Sequence, residues 1–457
     1  MARMKRYMLY ALTIFSTICF CFANSSLYAE GNISLTLIPP SPVTDQIILD
    51  IRAGIWNKSD LSENVSISIY LDKKEPSKML YEKSISLKPN SKVGVRFDWP
   101  TKGQAGRHTI ILVVVKNDST YETERTLQIL ESDVISTKAI GGAWIDFYHW
   151  SEIEGERFNQ DLKKMTDKEW GKLVEDMHQL KMNTIVIQEV FRNQMIYDKH
   201  TIETDGYKGL SFYPSSLYPN RMHIGAKDPV NAILTAADQK GLNVFLGVGL
   251  YAWFDFTAGS LDWHKRIASE LWNKYGHHPS FYGWYVSEEI EGGLGNPQQR
   301  KNIVSFFEEF KTYIYSLTPD KPIMLATNCH NLRGAEATYD LLLPNLDILC
   351  PFGFERMPKG DITGIEAAIK LDSLCKRSGT HLWMDMEIFN FTSNGALIPR
   401  PFSEIKDALN QFTDFEKIIC YEYTGLLNSP KMSIKPGGKP TIKLFTDYKK
   451  YIKKVIK

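Results

Sequence analysis

The chain has few of the features that mark cofactor-binding or disulfide-rich proteins. It has six cysteines in 457 residues, and none lies in a Cys-x-x-Cys or Cys/His spacing typical of zinc sites. It also has no Gly-x-Gly-x-x-Gly turn, no Gly-x-x-x-x-Gly-Lys-Ser/Thr loop and no Gly-x-Ser-x-Gly elbow. Dinucleotide, phosphate-loop and serine-hydrolase sites are therefore not indicated, and we expect neither a cofactor nor a metal.

The chain also has no large excess of positive or negative charge. The 54 Lys and Arg residues are balanced by 53 Asp and Glu residues, which leaves a formal net charge of +1. This balance gives no electrostatic reason to expect a nucleic acid or an anionic membrane as a partner. Aromatic residues, in contrast, make up 12% of the chain, with 10 Trp and 22 Tyr. Such a surplus fits a protein that stacks on sugars or other flat ligands, and two large hydrophobic cores would also account for it.

The amino terminus has the three parts of a secretory signal peptide. A basic start is followed by the apolar run Tyr7–Phe22, and Ser26–Ala29 supplies a small-residue cleavage site before Glu30. We therefore expect residues 1–29 to be removed and the protein to be secreted or periplasmic, without a stable membrane span after cleavage. An uncleaved anchor helix is one alternative. A cell-surface lipoprotein is less favoured, because both cysteines in this run follow large side chains.

The cysteines outside this segment have the surroundings of buried free thiols. Most of them lie in or beside apolar, strand-like runs, where Cys usually behaves as a small hydrophobic residue. We expect free thiols rather than disulfides at all four positions, which are Cys329, Cys350, Cys375 and Cys420.

Short strands at regular spacing follow the signal segment. About seven of them occur in about a hundred residues, with turn-rich stretches between them and no helical pattern. This spacing predicts a small immunoglobulin-like antiparallel β-sandwich over residues 30–131, which we interpret as an accessory domain. The expected strands are Ile33–Leu37, Gln46–Ile55, Val65–Leu71, Leu80–Leu87, Val93–Phe97, His108–Val115 and Thr120–Ile129.

From residue 132 to residue 457 the pattern changes to strands that alternate with amphipathic helices. Eight such units in this length predict an α/β fold, the (β/α)8 TIM barrel, in a second domain. The alternative is an open doubly wound sheet, which usually carries the Gly-rich phosphate turn that this sequence lacks. The expected strands are Ile140–Phe147, Thr184–Val190, Asn243–Leu250, Phe281–Val286, Ile323–Thr327, Leu346–Pro351, His381–Met386 and Lys417–Tyr421.

Carboxylates and aromatic residues close two strands that lie across the axis of the predicted barrel. The fourth strand runs into Glu288 and Glu289, and the seventh into Asp385 and Glu387. Barrel enzymes carry their chemistry at these carboxyl ends. Two facing carboxyl groups are the arrangement that a glycosidase needs. One protonates the leaving oxygen, and the other attacks the anomeric carbon or activates water.

These positions resemble those of glycoside hydrolase clan A, whose acid/base follows strand 4 and whose nucleophile ends strand 7. The Trp-x-Asp-x-Glu-x-Phe run at strand 7 and the Tyr-Glu-Tyr run at strand 8 also look like a secreted bacterial barrel family labelled a domain of unknown function, described as glycoside-hydrolase-like. The resemblance implies Glu289 as acid/base and Glu387 as nucleophile. The clan's Asn-Glu-Pro signature is replaced here by Glu288-Glu289-Ile290, so Glu288 is the alternative if the register slips by one.

Further polar and aromatic residues near the strand ends are candidates for binding a sugar. Carboxylates, amides, His and Arg can hydrogen-bond to hydroxyl groups, and Trp and Tyr offer flat faces. For each of them a structural role is the competing interpretation. The candidates are Glu288, Asp385, Asn328, His330, Trp253, Trp284, Trp383, Tyr423, Glu422, Gln188 and Arg192.

The sequence thus predicts a secreted glycoside hydrolase with a polysaccharide or glycoconjugate as substrate. A carbohydrate-binding protein that keeps the cleft without turnover is the main alternative, and the altered Asn-Glu-Pro position favours it. A structural surface protein whose function lies in the sandwich is a third hypothesis. The sequence leaves the sugar, the linkage and the oligomeric state open.

Overall fold

A computed structural model describes residues 33–117, 119–149, 155–156, 159–193, 209–218, 220–249 and 255–456. Its first part consists of two β-sheets that share one core. One sheet contains β1 (Ile33–Ile38), β3 (Ile48–Trp56) and β6 (Lys92–Pro100). The other contains β2 (Val43–Thr44), β4 (Glu63–Leu71), β5 (Met79–Leu87), β7 (Gly106–Lys116) and β8 (Ser119–Leu130).

The pairing of these strands agrees with the predicted antiparallel sheets except at one short strand. β2 runs parallel to β8, and every other pair in the two sheets is antiparallel. Alternation explains the packing, because Val65, Ile67 and Ile69 of β4 all point into the shared core. The signal segment predicted over residues 1–29 lies outside the described residues.

The second part is a closed barrel of eight parallel strands, so the barrel prediction is confirmed. Its strands are β9 (Ile140–Ile145), β10 (Thr184–Ile187), β13 (Asn243–Gly247), β14 (Phe281–Ile290), β15 (Ile323–Thr327), β16 (Ile348–Leu349), β17 (His381–Glu387) and β20 (Lys417–Tyr421). Two hairpins leave it after the second and the seventh strand. They are formed by β11 (Phe191–Asn193) with β12 (Gly209–Ser211), and by β18 (Phe389–Phe391) with β19 (Leu397–Pro399).

A helix follows each barrel strand in the chain, as the alternating pattern predicts. The first begins where the sequence signals it, because the Thr166 backbone N–H donates to the Glu169 carboxylate in a capping box. The helices are α1 (Asp167–Gln179), α2 (Pro229–Lys240), α3 (Ala258–Tyr275), α4 (Pro297–Leu317), α5 (Glu336–Leu342), α6 (Gly364–Ser378), α7 (Phe402–Gln411) and α8 (Lys439–Val455).

The sandwich closes the amino-terminal end of the barrel. Ile38, at the end of β1, is fully buried in the same cluster as the barrel-lining side chains Phe245 and Tyr282. The Tyr282 hydroxyl, near the start of β14, donates a hydrogen bond of 2.6 Å to the Leu37 carbonyl oxygen. An apolar side chain from the first domain therefore fills the floor of the second.

Buried charges join the two parts around this floor. The Arg52 guanidinium forms ion pairs with Asp50 of its own strand at 2.7 Å and with Asp347 of the barrel at 2.8 Å. The His381 imidazole lies between Asp50, at 3.3 Å, and Glu416, at 2.6 Å. Burial disfavours the charged form of His381, but the two carboxylates outweigh it and raise its pKa to about 9.

Two glycines allow the backbone of the sandwich to approach the barrel closely. Gly54 of β3 and Gly94 of β6 are paired across the sheet. A Cβ atom at Gly94 would lie 2.4 Å from the Pro319 carbonyl oxygen, and one at Gly54 would lie 2.6 Å from Asp320 Oδ1. A side chain at either position would push the two parts apart.

Two further sequence expectations can be compared with the described residues. Cys329, Cys350, Cys375 and Cys420 are buried and free, as expected. Within the described ranges, no helix has both the length and the apolar character needed to cross a membrane.

We expect Arg52→Met to lower the free energy of unfolding by about 3–5 kcal/mol, because it removes the ion-pair partner of the buried Asp347 carboxylate and leaves Asp50 with only His381 and the half-exposed Arg96. Urea denaturation measures the loss. Arg96→Met is the matched control, since the Arg96 side chain is 44% exposed and its ion pairs lie at the edge of the same cluster. It should cost less than about 1 kcal/mol. Equal losses of unfolding free energy in the two variants would show that Arg52 does not stabilise the interface more than Arg96 does.

Candidate active site

The carboxyl ends of the barrel strands surround a cavity of about 260 Å³. Seven of the eight strands, or the loops that follow them, and the β18–β19 hairpin form its walls and supply a mixture of aromatic and ionisable side chains. The lining residues are Trp144, His149, Gln188, Tyr285, Glu289, Ala326, Phe352, Arg356, Asp385, Glu387, Phe389, Phe391, Leu397 and Tyr421.

Strand periodicity places two carboxyl groups of β17 in this cavity. Successive side chains of a strand point to opposite faces, so Trp383, Asp385 and Glu387 share the inward face. Trp383 lies in the barrel interior with Phe245, and Asp385 and Glu387 reach the cavity.

The end of β14 supplies the third carboxyl group. The pairing of β14 with β15 shifts between Val286 and Ile290, where β14 has two more residues than its partner. Within this irregular stretch Glu289 lines the cavity, and Glu288 is fully buried outside it. Of the two candidates at this strand end, the structure thus places Glu289, which the resemblance implied, in the cavity. Glu288 lies outside it.

Glu387 is bound by an arginine. Arg356, in the loop after β16, donates from Nε to both carboxylate oxygens of Glu387, at 2.9 and 2.8 Å. Its Nη2 also donates to Oε1 of the same carboxylate. The guanidinium carbon lies 5.7 Å from the centre of the Phe391 ring. Arg356 therefore orients the Glu387 side chain through hydrogen bonds to both of its oxygens and contacts an aromatic side chain of the hairpin.

Burial changes the acidity of the other two carboxyl groups. The pKa of Glu289 is raised to about 7 in total. Burial is the main cause, the positive charge of Arg356 acts against it, and the negative charge of Glu387 adds to it. Burial and then the charge of Glu387 raise the pKa of Asp385 well above its usual value. The cavity therefore holds one ion-paired carboxylate beside two carboxyl groups that retain protons more readily.

A second pair of acidic side chains lies next to the cavity wall. Burial raises the pKa of Asp146 to about 7, and burial together with Asp146 raises the pKa of Glu422 well above its usual value. The Thr424 hydroxyl donates to Glu422 Oε2 at 2.6 Å, and the Tyr421 hydroxyl lies 3.5 Å from Asp146 Oδ2. This pair is linked to the cavity through Tyr421.

Two cavity-lining side chains keep polar atoms that are unsatisfied within the protein. Gln188 Oε1 and Asp385 Oδ1 are buried and have no hydrogen-bond partner among the described residues. Leaving such atoms unpaired costs free energy, so a bound ligand with hydroxyl groups would satisfy them.

Several predicted binding residues do not line this cavity. Trp284 lies on the outer face of the barrel, where its Nε1 donates to the Thr318 hydroxyl at 2.8 Å. The Asn328 side-chain oxygen accepts from the backbone of Gly292 and of His330, which is a structural role in the loop. The other predicted residues placed outside the lining are Glu288, His330, Trp383, Glu422 and Tyr423.

Two predicted residues cannot be placed. Trp253 lies outside the described residues, and so does the side chain of Arg192. Of the remaining predictions, the structure brings together Glu289, Glu387, Asp385 and Gln188.

Sequence reasoning missed Arg356, Asp146 and most of the aromatic wall. Arg356 follows the sixth strand, and the rule that directs attention to strand ends applies to that loop as well. Asp146 directly follows β9, but an acidic residue at the end of a strand does not by itself reveal a buried partner such as Glu422.

No metal site is found in the part of the chain that the structure describes. It contains no group of three or more His, Cys, Asp or Glu side chains that could hold an ion.

Comparison with known proteins places the chain in a family. The family model described as Domain of unknown function (DUF4434) matches residues 140–433, which is more than half of the chain. No curated protein sequence matches the chain.

Solved structures similar to this one include a candidate alpha-L-fucosidase from Bacteroides thetaiotaomicron. It has a TM-score of 0.50 and 16% sequence identity, over 69% of this chain and 93% of that one. Beta-glucuronidase 2 of Bacteroides uniformis has a TM-score of 0.41 and 12% identity, over 93% of this chain and 50% of that one. At these identities the first likeness shows a glycosidase-like fold, and the chain spans half the length of the second protein.

We expect Arg356→Met to raise the pKa of Glu289 by about one unit, because an opposite charge that favours its ionised form is removed. The pH titration of the carbon-13 signal of the Glu289 carboxyl group, assigned by its loss in Glu289→Gln, measures the shift. Lys359→Met removes an exposed charge from the same loop and should leave this pKa near 7. An unchanged titration of Glu289 in Arg356→Met would show that the arginine does not influence the pKa of Glu289.

Proposed function

Since the chain belongs to the DUF4434 family and carries Glu289 and Glu387 in one aromatic cavity, we propose that it is a glycoside hydrolase acting on O-glycosidic bonds. The observation that carries this proposal is the difference between the two carboxyl groups. Burial raises the pKa of Glu289 to about 7, whereas Glu387 is ion-paired with Arg356. An acid and an ionised partner facing the same space are the two groups that glycosidic cleavage requires.

In this proposal Glu289 is the general acid. A carboxyl group with a pKa near 7 is partly protonated at neutral pH, and it donates its proton to the oxygen of the leaving group as the bond breaks. Burial, which raises this pKa, also strengthens the interaction of the group with the developing charge.

Glu387 is the nucleophile. Its charge stabilises the oxocarbenium-like centre, and one of its oxygens bonds to the anomeric carbon as the bond to the leaving oxygen breaks. Water, which gives a proton to the now ionised Glu289, then cleaves the bond to Glu387 and releases the sugar. Arg356 holds both oxygens in the structure, so the substrate has to displace at least one of these hydrogen bonds before attack. Asp385 and Gln188 keep oxygens available for sugar hydroxyl groups.

The remaining parts of the sequence interpretation belong to the same proposal. We propose that residues 1–29 are a signal peptide and that the mature protein is secreted or periplasmic. Residues 30–131 form an immunoglobulin-like accessory domain, and residues 132–457 form the catalytic domain. The amino-terminal sequence of the mature chain tests the export step.

A carbohydrate-binding protein without turnover is the second candidate. Two observations favour it: Glu288 stands where the clan has Asn, and Arg356 occupies both oxygens of Glu387. A panel of oligosaccharides and aryl glycosides, measured for hydrolysis and for binding, separates the candidates. Binding without any hydrolysis would support the second.

We expect Glu387→Gln to lower kcat/KM on any hydrolysed substrate more than about a thousandfold, with fold and binding retained, since the amide keeps the shape but removes the charge. Hydrolysis rates and calorimetric binding measure both properties. Glu404→Gln, on a side chain that is 51% exposed, is the control and should retain full activity. Retained turnover in Glu387→Gln would exclude it as the nucleophile.

We expect Glu289→Gln to slow hydrolysis by about a hundredfold or more for poor leaving groups and much less for dinitrophenyl glycosides, which scarcely need protonation. In the unaltered protein kcat/KM should fall as the pH rises through about 7, because Glu289 loses its proton there. This limb of the profile should disappear in Glu289→Gln and persist in the nearby control Glu291→Gln. A profile without this limb in the unaltered protein would contradict the assignment.

A further inference from the structure

We propose that Phe391 forms a binding subsite for a second sugar ring, on the leaving-group side of the bond that is cleaved. The substrate is then an oligosaccharide or polysaccharide, rather than a glycoside of a small alcohol. The inference rests on the proposed function, which it extends from the reaction to the class of substrate.

The position of Phe391 follows from the hairpin that continues strand β17. Phe389 pairs with Pro399 across the hairpin, and Phe391 pairs with Leu397. Phe389, Phe391 and Leu397 all line the cavity, and Ile398 lies on the opposite face because neighbouring side chains alternate. The face turned toward the carboxyl groups is therefore entirely apolar at these positions.

Three aromatic rings lie in sequence along the cavity wall. The ring centres of Tyr421 and Phe389 are 6.1 Å apart, and those of Phe389 and Phe391 are 5.2 Å apart. Phe389 is only 9% exposed, whereas Phe391 is 57% exposed. A substrate whose reacting sugar lies beside Glu387 extends toward Phe391, where the cavity opens to solvent. Because packed side chains fill the barrel interior below the cavity, we assign this open side to the leaving group.

The exposed Phe391 ring has a charged neighbour as well as an aromatic one. The Arg356 guanidinium that binds Glu387 also lies against the Phe391 ring. At the base of the hairpin, Arg400 Nη1 donates to the Glu387 carbonyl oxygen at 2.9 Å, and its Nη2 donates to Glu355 Oε1 at 3.0 Å. These contacts tie the base of the hairpin to Glu387 and place the Arg356 cation beside the Phe391 ring.

Exposure at the edge of the cavity indicates a binding surface. An aromatic side chain has few rotatable bonds, so it binds a flat apolar partner with little loss of conformational freedom. The C–H face of a pyranose is such a partner, since it presents apolar atoms while its hydroxyl groups point outward to water. Glycosides with a ring in the leaving group should therefore gain affinity that methyl glycosides or glycosyl fluorides cannot.

The test compares two substrates that share the glycone found in the panel: a disaccharide and the corresponding glycosyl fluoride, whose leaving group has no ring. For Phe391→Ala, we expect the loss of kcat/KM on the disaccharide to exceed the loss on the fluoride by about tenfold. Phe391→Trp should restore the disaccharide rate. Ile398→Ala, on the other face of the same hairpin, is the control and should change neither substrate.

Each result of this experiment has a defined meaning. Equal losses on both substrates, or no loss, would overturn the subsite and leave the proposed hydrolase intact. If the unaltered protein hydrolyses nothing, the proposed function fails, and calorimetric binding of the same disaccharides decides on the subsite. Weaker binding by Phe391→Ala but not by Ile398→Ala would support it, and equal binding, or no binding by any variant, would overturn it.

Discussion

Closure of the eight parallel strands is the constraint on which the rest of the molecule depends. In a closed barrel every second residue points inward, so the depth of a side chain is fixed by its place along the strand. Near the strand starts these positions hold large apolar groups such as Tyr282 and Trp383. Near the strand ends they hold Glu289, Asp385 and Glu387. The same geometry thus packs one end of the barrel and concentrates carboxyl groups at the other.

The low dielectric of this interior gives the carboxyl groups different properties. A single cation cannot neutralise three acidic side chains, and Arg356 binds one of them directly. The others respond to burial by holding their protons more tightly. The different affinities of these carboxyl groups for protons therefore need no special residue types. They follow from burial and from where Arg356 lies among otherwise similar groups.

Much of the fold could be predicted from the sequence because it depends on local periodicity. The alternation of β4 and the capping box of α1 are short-range signals, and the structure follows them. It was harder to predict which of Glu288 and Glu289 faces the cavity. The answer depends on the irregular pairing between Val286 and Ile290, which the pattern of hydrophobic residues does not reveal. Arg356 lies in an aperiodic loop, and its partner is 31 residues away in the chain. Contacts of this kind are set by tertiary structure, so sequence patterns alone could not show them.

The buried ion pairs between sandwich and barrel also link the order of synthesis to the order of folding. Asp50 meets His381 across 331 residues, so half of this cluster leaves the ribosome long before the other half exists. The sandwich has its own apolar core and can form early, as amino-terminal domains commonly do. Its Ile38 and Arg52 are then already positioned when the barrel strands assemble. The first domain thus offers a surface, with Ile38 and Arg52 on it, against which the floor of the barrel packs.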